Sequence, residues 1–281
     1  MLYSKVKSYA KLNLALNIVG KSNSLHKIES IISFVNLHDL ITVKEIRSKK
    51  HVIEFRGKFS KNINKDNTIS RLLEILEKKK LLKNKKFQIK VDKKIPNKAG
   101  LGGGSMNAAS ILEFFIKKKI IKARKKKIVE ISKLIGSDVI LGLNKKSAIL
   151  TSKNEIKYFN NTKKFYTLIV KPNFGCSTRE IYSRVRKFHK SKLNQPKKKM
   201  FSLNYLKKMG NDLEKVAFIK YPKLKIIKLY LENSLDPAFV RMTGSGSSLV
   251  AYFQSKKSCE RGKKRFNKKY KNYWCIASKT I

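Results

Sequence analysis

Lys98-Ala99-Gly100-Leu101-Gly102-Gly103-Gly104-Ser105-Met106-Asn107-Ala108-Ala109-Ser110 is the stretch on which the reading of this chain turns, with four of the 13 glycines inside five positions. Before it, Phe87-Gln88-Ile89-Lys90-Val91 alternates apolar and polar residues, the period of a strand with one buried face. After it, Asn107 to Lys118 carries Ala108, Ile111, Leu112 and Phe115 at helical spacing. A strand feeding a glycine cluster that opens a helix suits anionic phosphate. No Cβ blocks the approach, backbone N–H groups can close round the anion, and the helix N-terminus adds partial positive charge. A glycine cluster alone also serves as a plain hinge, so its flanks carry the phosphate reading.

At 281 residues and 41% hydrophobic content, the chain can form one large domain or two ordinary ones around a proper core. It holds no run of 18 uninterrupted apolar residues, so no membrane span is expected. Met1-Leu2-Tyr3-Ser4-Lys5 leads into a patterned segment without a signal-peptide apolar core. Cys176, Cys259 and Cys275 are odd in number and far apart, as in a cytoplasmic protein with reduced thiols. His26, His38, His51 and His189 have no HExxH or CxxC company, and no structural metal is expected. The net charge of +49 comes overwhelmingly from lysine, with only ten arginines, and Ile and Asn are abundant too. These residues share A/T-rich codons, so mutational drift accounts for the excess better than a nucleic-acid role. The lysines are spread along the whole chain, and no basic patch interleaved with aromatics stands out. No specific nucleic-acid partner is expected, while an anionic small substrate would tolerate the charge and could be steered by it.

Residues 4–19 read as a strand with Lys11 and Asn13 on one face and leucines on the other; a lysine so placed is ordinarily solvated. Gly20-Lys21-Ser22 fails as a P-loop because Ala15 stands where the first glycine is needed. His26 falls in a polar turn, Glu29 to Val35 is an apolar run, and Leu40–Val43 and Val52–Phe55 read as further strands of an antiparallel meander. Asn67-Thr68 caps a helix with Ile69, Leu72, Leu73 and Leu76. A second helix carries Ile128, Ile131, Leu134 and Ile135 and ends at Gly136-Ser137-Asp138. Leu141–Leu143 and Ala148–Leu150 read as short buried strands. Leu168–Pro172 opens a second lobe, Ser177-Thr178 caps a helix with Ile181, Tyr182 and Val185, and Lys187–Lys199 reads as a mobile surface connection. Later come a helix from Asn211-Asp212-Leu213-Glu214 broken at Tyr221-Pro222, a turn at Thr243-Gly244-Ser245-Gly246, a basic helix over Ser258–Tyr270 and a final strand. The fold class expected is α+β with two lobes.

Three separated features ask for one explanation: the glycine loop, Lys11, and Asp138 just after a helix-ending glycine. Phosphoryl transfer needs a phosphate cradle, a cation for developing charge and a carboxylate to receive a hydroxyl proton. Taken alone, Asp138 reads as a turn residue. Together with Ala10-Lys11-Leu12-Asn13-Leu14, His26 followed by Asn36-Leu37-His38-Asp39, Ile95-Pro96 before the loop, Gly136-Ser137-Asp138-Val139, Asn211-Asp212-Leu213-Glu214 and Met242-Thr243-Gly244-Ser245-Gly246, these features make the chain resemble the GHMP kinases over nearly its whole length. The branch resembled phosphorylates, with ATP and Mg²⁺, the 2-hydroxyl of a cytidine diphosphate-linked methylerythritol in the non-mevalonate isoprenoid precursor pathway.

The resemblance implies a two-lobe GHMP kinase fold, with lobes at 1–162 and 163–281 and a catalytic cleft between them. It implies a monomer or homodimer without a membrane partner. Pro96, Lys98, Ala99, Gly100, Leu101, Gly102, Gly103, Gly104 and Ser105 would line the ATP phosphates. Asp138 would accept the hydroxyl proton, and Lys11 would stabilise the alkoxide or the transferring phosphoryl group. Asn13 would hydrogen-bond substrate hydroxyls, His26 would read the cytosine edge, and Gly244 would line the acceptor. Tyr182 would either stack on cytosine or simply face the core of its helix.

Three departures stand out. Ser24-Leu25-His26 replaces Gly-Tyr-His, removing one aromatic of a base sandwich whose stacking is worth about 1–3 kcal/mol per base. Asn97-Lys98-Ala99 is an unusual approach to the loop, in which Lys98 either meets phosphate or points to solvent. Met106 replaces a second serine, leaving Ser105 as the hydroxyl for Mg²⁺. Competing readings are a GHMP kinase of homoserine or mevalonate type, which CMP would not inhibit, and a basic RNA-binding protein with steep salt dependence.

Overall fold

The computed structural model describes residues 3–22 and 25–281. The chain is α+β and forms two compact units that are not sequential halves. The first gathers the segment up to Ala10 with Leu37–Asn97 and Gly102–Lys145; the second gathers Lys11–Asn36, Lys98–Leu101 and Lys146–Ile281. Two paired strands, β1 (Ser4–Ser22) and β2 (Leu25–Ile46), contribute to both units. His26 therefore stands in a strand and not in a polar turn. The two segments read separately around Glu29–Val35 and Leu40–Val43 are one continuous element, held by different partners at its two ends.

In the first unit these strands are followed by β3 (Val52–Arg56), α1 (Thr68–Lys78), β4 (Lys86–Asp92), α2 (Gly103–Lys117), α3 (Lys125–Ile135) and α4 (Val139–Gly142). The meander expected from the sequence is not what forms. β4 inserts between β2 and β3, antiparallel to Leu40–Ile46 of β2 and parallel to β3. A parallel pair needs a crossover, and α1 supplies it. Asn67 caps α1 reciprocally: its side chain accepts from Ile69 N at 2.9 Å and Ser70 N at 3.2 Å, and Ser70 Oγ accepts from Asn67 N at 2.8 Å. The i, i+3, i+4, i+7 set Ile69, Leu72, Leu73 and Leu76 packs with the inward row Phe87, Ile89 and Val91 of β4 and with Ile111, Leu112 and Phe115 of α2. Leu134 departs from the expected core face of α3 and is 57% exposed, while Ile131 and Ile135 are buried. Leu141 lies in helical α4; a four-residue apolar run shows no period by which strand and helix can be told apart.

The second unit adds β5 (Ser147–Leu150), β6 (Ile156–Phe159), β7 (Tyr166–Lys171), α5 (Thr178–Ser183), a 3-10 turn at Lys198–Phe201, α6 (Leu203–Lys208), α7 (Leu213–Lys220), α8 (Pro222–Leu235), β8 (Phe239–Met242), β9 (Leu249–Phe253), α9 (Lys256–Lys269) and β10 (Trp274–Lys279). β5 pairs with Ser30–Ile32 of β2 and with β6. An antiparallel sheet runs β10-β7-β9-β8. Leu168, Val170, Leu249, Ala251 and Phe253 pack with Leu224, Ile227 and Leu231 of α8 and Phe266 of α9. Pro222 opens α8 at a position where its missing N–H costs nothing, which separates α7 from α8. Cys176 and Cys259 are buried free thiols, pushed up by burial to about 11 and about 12.

The segment read as a mobile connection, 187–199, is instead fastened to the strands. Buried Glu29 accepts from Ser191 Oγ at 2.7 Å, Lys192 N at 2.8 Å, Leu193 N at 3.0 Å and Asn17 Nδ2 at 2.8 Å. His189 N donates to Ile18 O at 2.8 Å, and Leu193 is fully buried. Lysine-rich composition hides these anchors, because the Ser191 hydroxyl and the backbone N–H groups of Lys192 and Leu193 meet a partner more than 160 positions away.

Asp39 is a buried polar constraint in the first unit, with four partners among the described residues. Its carboxylate is buried and meets the equally buried ammonium of Lys93. Removing one partner of a buried ion pair strands the other, at a cost of about 3–5 kcal/mol. Asp39→Ala is expected to lower the unfolding free energy by about that amount. Urea unfolding followed by circular dichroism checks it; a midpoint equal to that of the wild type would show that Lys93 is not held by this pair.

Candidate active site

The approach to the glycine loop belongs to the second unit, and the close fit of backbone on backbone explains its composition. Lys98, Gly100 and Gly102 have φ of 50°, 71° and 68°. A Cβ on Gly100 would stand 2.0 Å from Thr243 O, so no other residue fits there. Thr243 Oγ1 donates to Gly100 O at 3.1 Å, Ser248 N to Ala99 O at 3.3 Å, and Lys11 N to Leu101 O at 3.0 Å. The second glycine turn thus packs on the first. Gly244 is buried, with room for a Cβ only 3.2 Å from Gly100 O, and its carbonyl accepts from Asn211 Nδ2 at 2.8 Å.

Strand alternation puts Lys11 and Asn13 on one face, as expected, but the face is buried: Lys11 is 5% exposed and Asn13 3%. Burying an ammonium is costly unless it is hydrogen-bonded. Lys11 Nζ donates to Asn13 Oδ1 at 2.8 Å; Asn13 Nδ2 donates to Ser30 Oγ at 2.8 Å, and Ser30 Oγ to Ala15 O at 2.6 Å. Thr243 Oγ1 also accepts from Asn13 N at 3.1 Å. This relay holds the cation at a defined place beside the loop.

The helix end of the loop belongs to the first unit. α2 starts at Gly103 and not near Asn107, because Met106 N already bonds to Gly102 O at 2.9 Å. Glycine's poor helix propensity concealed that turn. Gly103, Gly104 and Ser105 therefore supply first-turn N–H groups with no partner inside the helix, which is where an anion is taken up. Thr68 Oγ1 fixes the turn by donating to Gly104 O at 2.7 Å. Asp39 fixes what precedes it, accepting from Lys94 N and Ile95 N at 2.8 Å each and from Asn107 Nδ2 at 3.1 Å. Pro96 follows and is buried; Lys98 is exposed. Met106 packs inward, where a Cβ on Gly142 would come 2.9 Å from its sulfur, so its side chain belongs to the core. Asp138 precedes α4, partly exposed, and its carboxylate does not cap that helix.

In the second unit His26 lies 5.3 Å from Tyr182 and 6.2 Å from Phe188, ring centroid to ring centroid. Partial burial, with Lys21 nearby, lowers the imidazole pKa below 6.5, so His26 is neutral at neutral pH. Leu25 is 75% exposed, and Ser24 lies outside the described residues. The structure thus brings Lys11, Asn13, Ala99 to Leu101 and Gly244 together in one unit, places His26 and Tyr182 side by side in the same unit, and puts Gly103 to Ser105 and Asp138 in the other. Sequence reasoning missed Thr243, Asn211, Ser30 and Glu29 as supports. Thr243 and Asn211 stood inside noted motifs, whereas Ser30 and Glu29 gave no local signal. Among the described residues, no three His, Cys, Asp or Glu side chains gather as a metal site.

The pattern described as GHMP kinases N terminal domain matches residues 67–147, and that described as GHMP kinases C terminal matches 185–272. A 4-diphosphocytidyl-2-C-methyl-D-erythritol kinase of Pelagibacter ubique is 60% identical, with 99% of each chain covered. The enzyme of the same name from Buchnera aphidicola is 34% identical, covering 90% of this chain and 86% of its own. A crystal structure of 4-(cytidine 5'-diphospho)-2C-methyl-D-erythritol kinase superposes with a TM-score of 0.80 at 22% identity, with 99% of each chain covered.

The two ends of the loop respond differently to a side chain. Gly100→Ala is expected to cost at least about 2 kcal/mol of stability, because the Cβ collides with backbone at a positive φ. Gly104→Ala, whose nearest neighbour would be Thr68 Oγ1 at 3.3 Å, is expected to keep the wild-type melting temperature but weaken nucleotide binding. Thermal melts paired with nucleotide titrations separate the two effects.

Proposed function

The chain belongs to the GHMP kinase family and is an ATP-dependent small-molecule kinase, and we propose that it transfers the γ-phosphoryl group of ATP to the 2-hydroxyl of 4-diphosphocytidyl-2-C-methyl-D-erythritol, in the non-mevalonate route to isoprenoid precursors. The observation that carries this acceptor is the 60% identity to the Pelagibacter ubique enzyme over 99% of both chains. The first turn of α2, reached through a backbone that only glycine permits at Gly100, supports triphosphate binding.

In this reading the N–H groups of Gly103, Gly104 and Ser105 hold the phosphates, with Pro96 and Lys98 to Gly102 shaping the approach. The acceptor hydroxyl gives its proton to the Asp138 carboxylate as its oxygen attacks the γ-phosphorus. The bond from that phosphorus to the β–γ bridging oxygen breaks, and ADP leaves. Lys11, rigidly held through Asn13, stabilises the negative charge that develops on the oxygens. Mg²⁺ suits the oxygen-only donors at the loop: it would travel with the ATP phosphates, with the Ser105 hydroxyl the ligand this chain can add, and it supplies charge neutralisation when bound. Asn13 and Gly244 line the acceptor. Neutral His26 has one donor and one acceptor nitrogen, matching the mixed edge of cytosine, and Tyr182 offers a stacking face. The free thiols support a reducing, cytoplasmic setting.

Asp138→Asn is expected to lower kcat by at least about 10²-fold with ATP affinity retained, as read by coupled ADP release and nucleotide titration. A fully active variant would refute the base. CMP is expected to compete with the acceptor; absence of competition would point to a non-cytidyl acceptor. Because His26 titrates below 6.5, its protonation as the pH falls removes the acceptor nitrogen. KM for the cytidyl substrate is expected to rise on acidification while KM for ATP stays level, and His26→Gln should flatten that rise.

A further inference from the structure

Phe188 lies in the segment that the sequence marks only as charged and connecting, and the family reading assigns it no role. Its surroundings do. The backbone on its C-terminal side is pinned: His189 N bonds to Ile18 O at 2.8 Å, His189 Nδ1 pairs with Asp212 Oδ2 at 2.8 Å, and Glu29 holds Ser191 to Leu193. The ring itself is left 46% exposed. A scattered exposed aromatic needs no explanation. This one is held on a fastened strap, 6.2 Å from the His26 imidazole, which is also bordered by Tyr182. It lines a cavity of about 600 Å³, the size of a small-ligand site, together with Val19, Lys27, Lys153 and Lys190.

We infer that Phe188 is a specificity-determining residue for the acceptor, supplying a ring face to the base read by His26, with Lys27, Lys153 and Lys190 favouring an anionic ligand in the adjoining cavity. The inference rests on the cytidyl-acceptor reading above. It accounts for a base site that has Leu25, three-quarters exposed, where a tyrosine would otherwise stack. A planar base whose edge meets the imidazole is offered the rings of Tyr182 and Phe188, and stacking accepts either kind of ring because only the π-face is used. The cost of ordering the platform is met in folding, through Glu29 and Ile18, before ligand arrives.

The test uses the full-length enzyme with CMP and with the cytidyl substrate. Phe188→Leu is expected to raise both the CMP dissociation constant and the substrate KM about tenfold, leaving kcat, ATP affinity and melting temperature at wild-type values. Phe188→Tyr is expected to restore both to within about twofold, since a ring face returns. Unchanged CMP affinity in Phe188→Leu, in an enzyme whose wild type turns the substrate over, overturns the role of Phe188 alone. Parallel loss of CMP and ATP affinity assigns the ring a structural role and overturns it as well. A wild type that binds CMP but does not phosphorylate the substrate overturns the kinase reading instead, while a Phe188-dependent CMP affinity still supports the ring's role.

Discussion

A buried carboxylate has four lone-pair directions to satisfy, and Asp39 spends them on the pieces that must stay in register for the loop to form. One oxygen accepts the backbone N–H groups of Lys94 and Ile95, just before the glycines; the other meets the Lys93 ammonium and Asn107, inside the helix that the glycines open. The end of β4 and the start of α2 are thereby fixed to the same strand residue. The first turn of α2 can expose unpaired N–H groups only because its surroundings are this well determined. Were the approach free to move, the cost of ordering those groups round an anion would fall on binding.

The same economy recurs in the second unit with different chemistry. Glu29 ties a lysine-rich strap to the strands, and Asn211 ties the Thr243–Gly246 turn to the chain before α7 through the carbonyls of Met242 and Gly244. Lys11 is the clearest case of polar satisfaction holding a buried charge. Its burial would be unfavourable in isolation, yet the relay through Asn13, Ser30 and Ala15 keeps the ammonium in place. In a chain of net charge +49, where most lysines are solvated, a lysine that is 5% exposed is set apart by its surroundings alone.

Much of this architecture is legible in the residues. The Asn67 cap, the alternating Phe87 to Val91 strand, the glycine cluster and the Tyr221-Pro222 break are local signals, each read within a window of a few residues. The misreadings have a common cause. The parallel pairing of β3 with β4, the continuity of β2 through His26 and the anchoring of Ser191 to Leu193 all depend on hydrogen-bond partners far away in sequence. The local pattern places the start of α2 four residues late, because glycines weaken the helical signal in its first turn.

The sequence by itself determined the α+β class, the membership of the kinase family and the candidate residues, since motif spacing and periodicity are written in local order. Only the tertiary structure decided that Lys11 is buried, that Gly100 must be glycine because Thr243 O leaves no space, that Met106 belongs to the core, and that Phe188 faces His26. Each of those depends on which distant backbone comes within a few ångström, and nearest-neighbour chemistry along the chain carries no record of it.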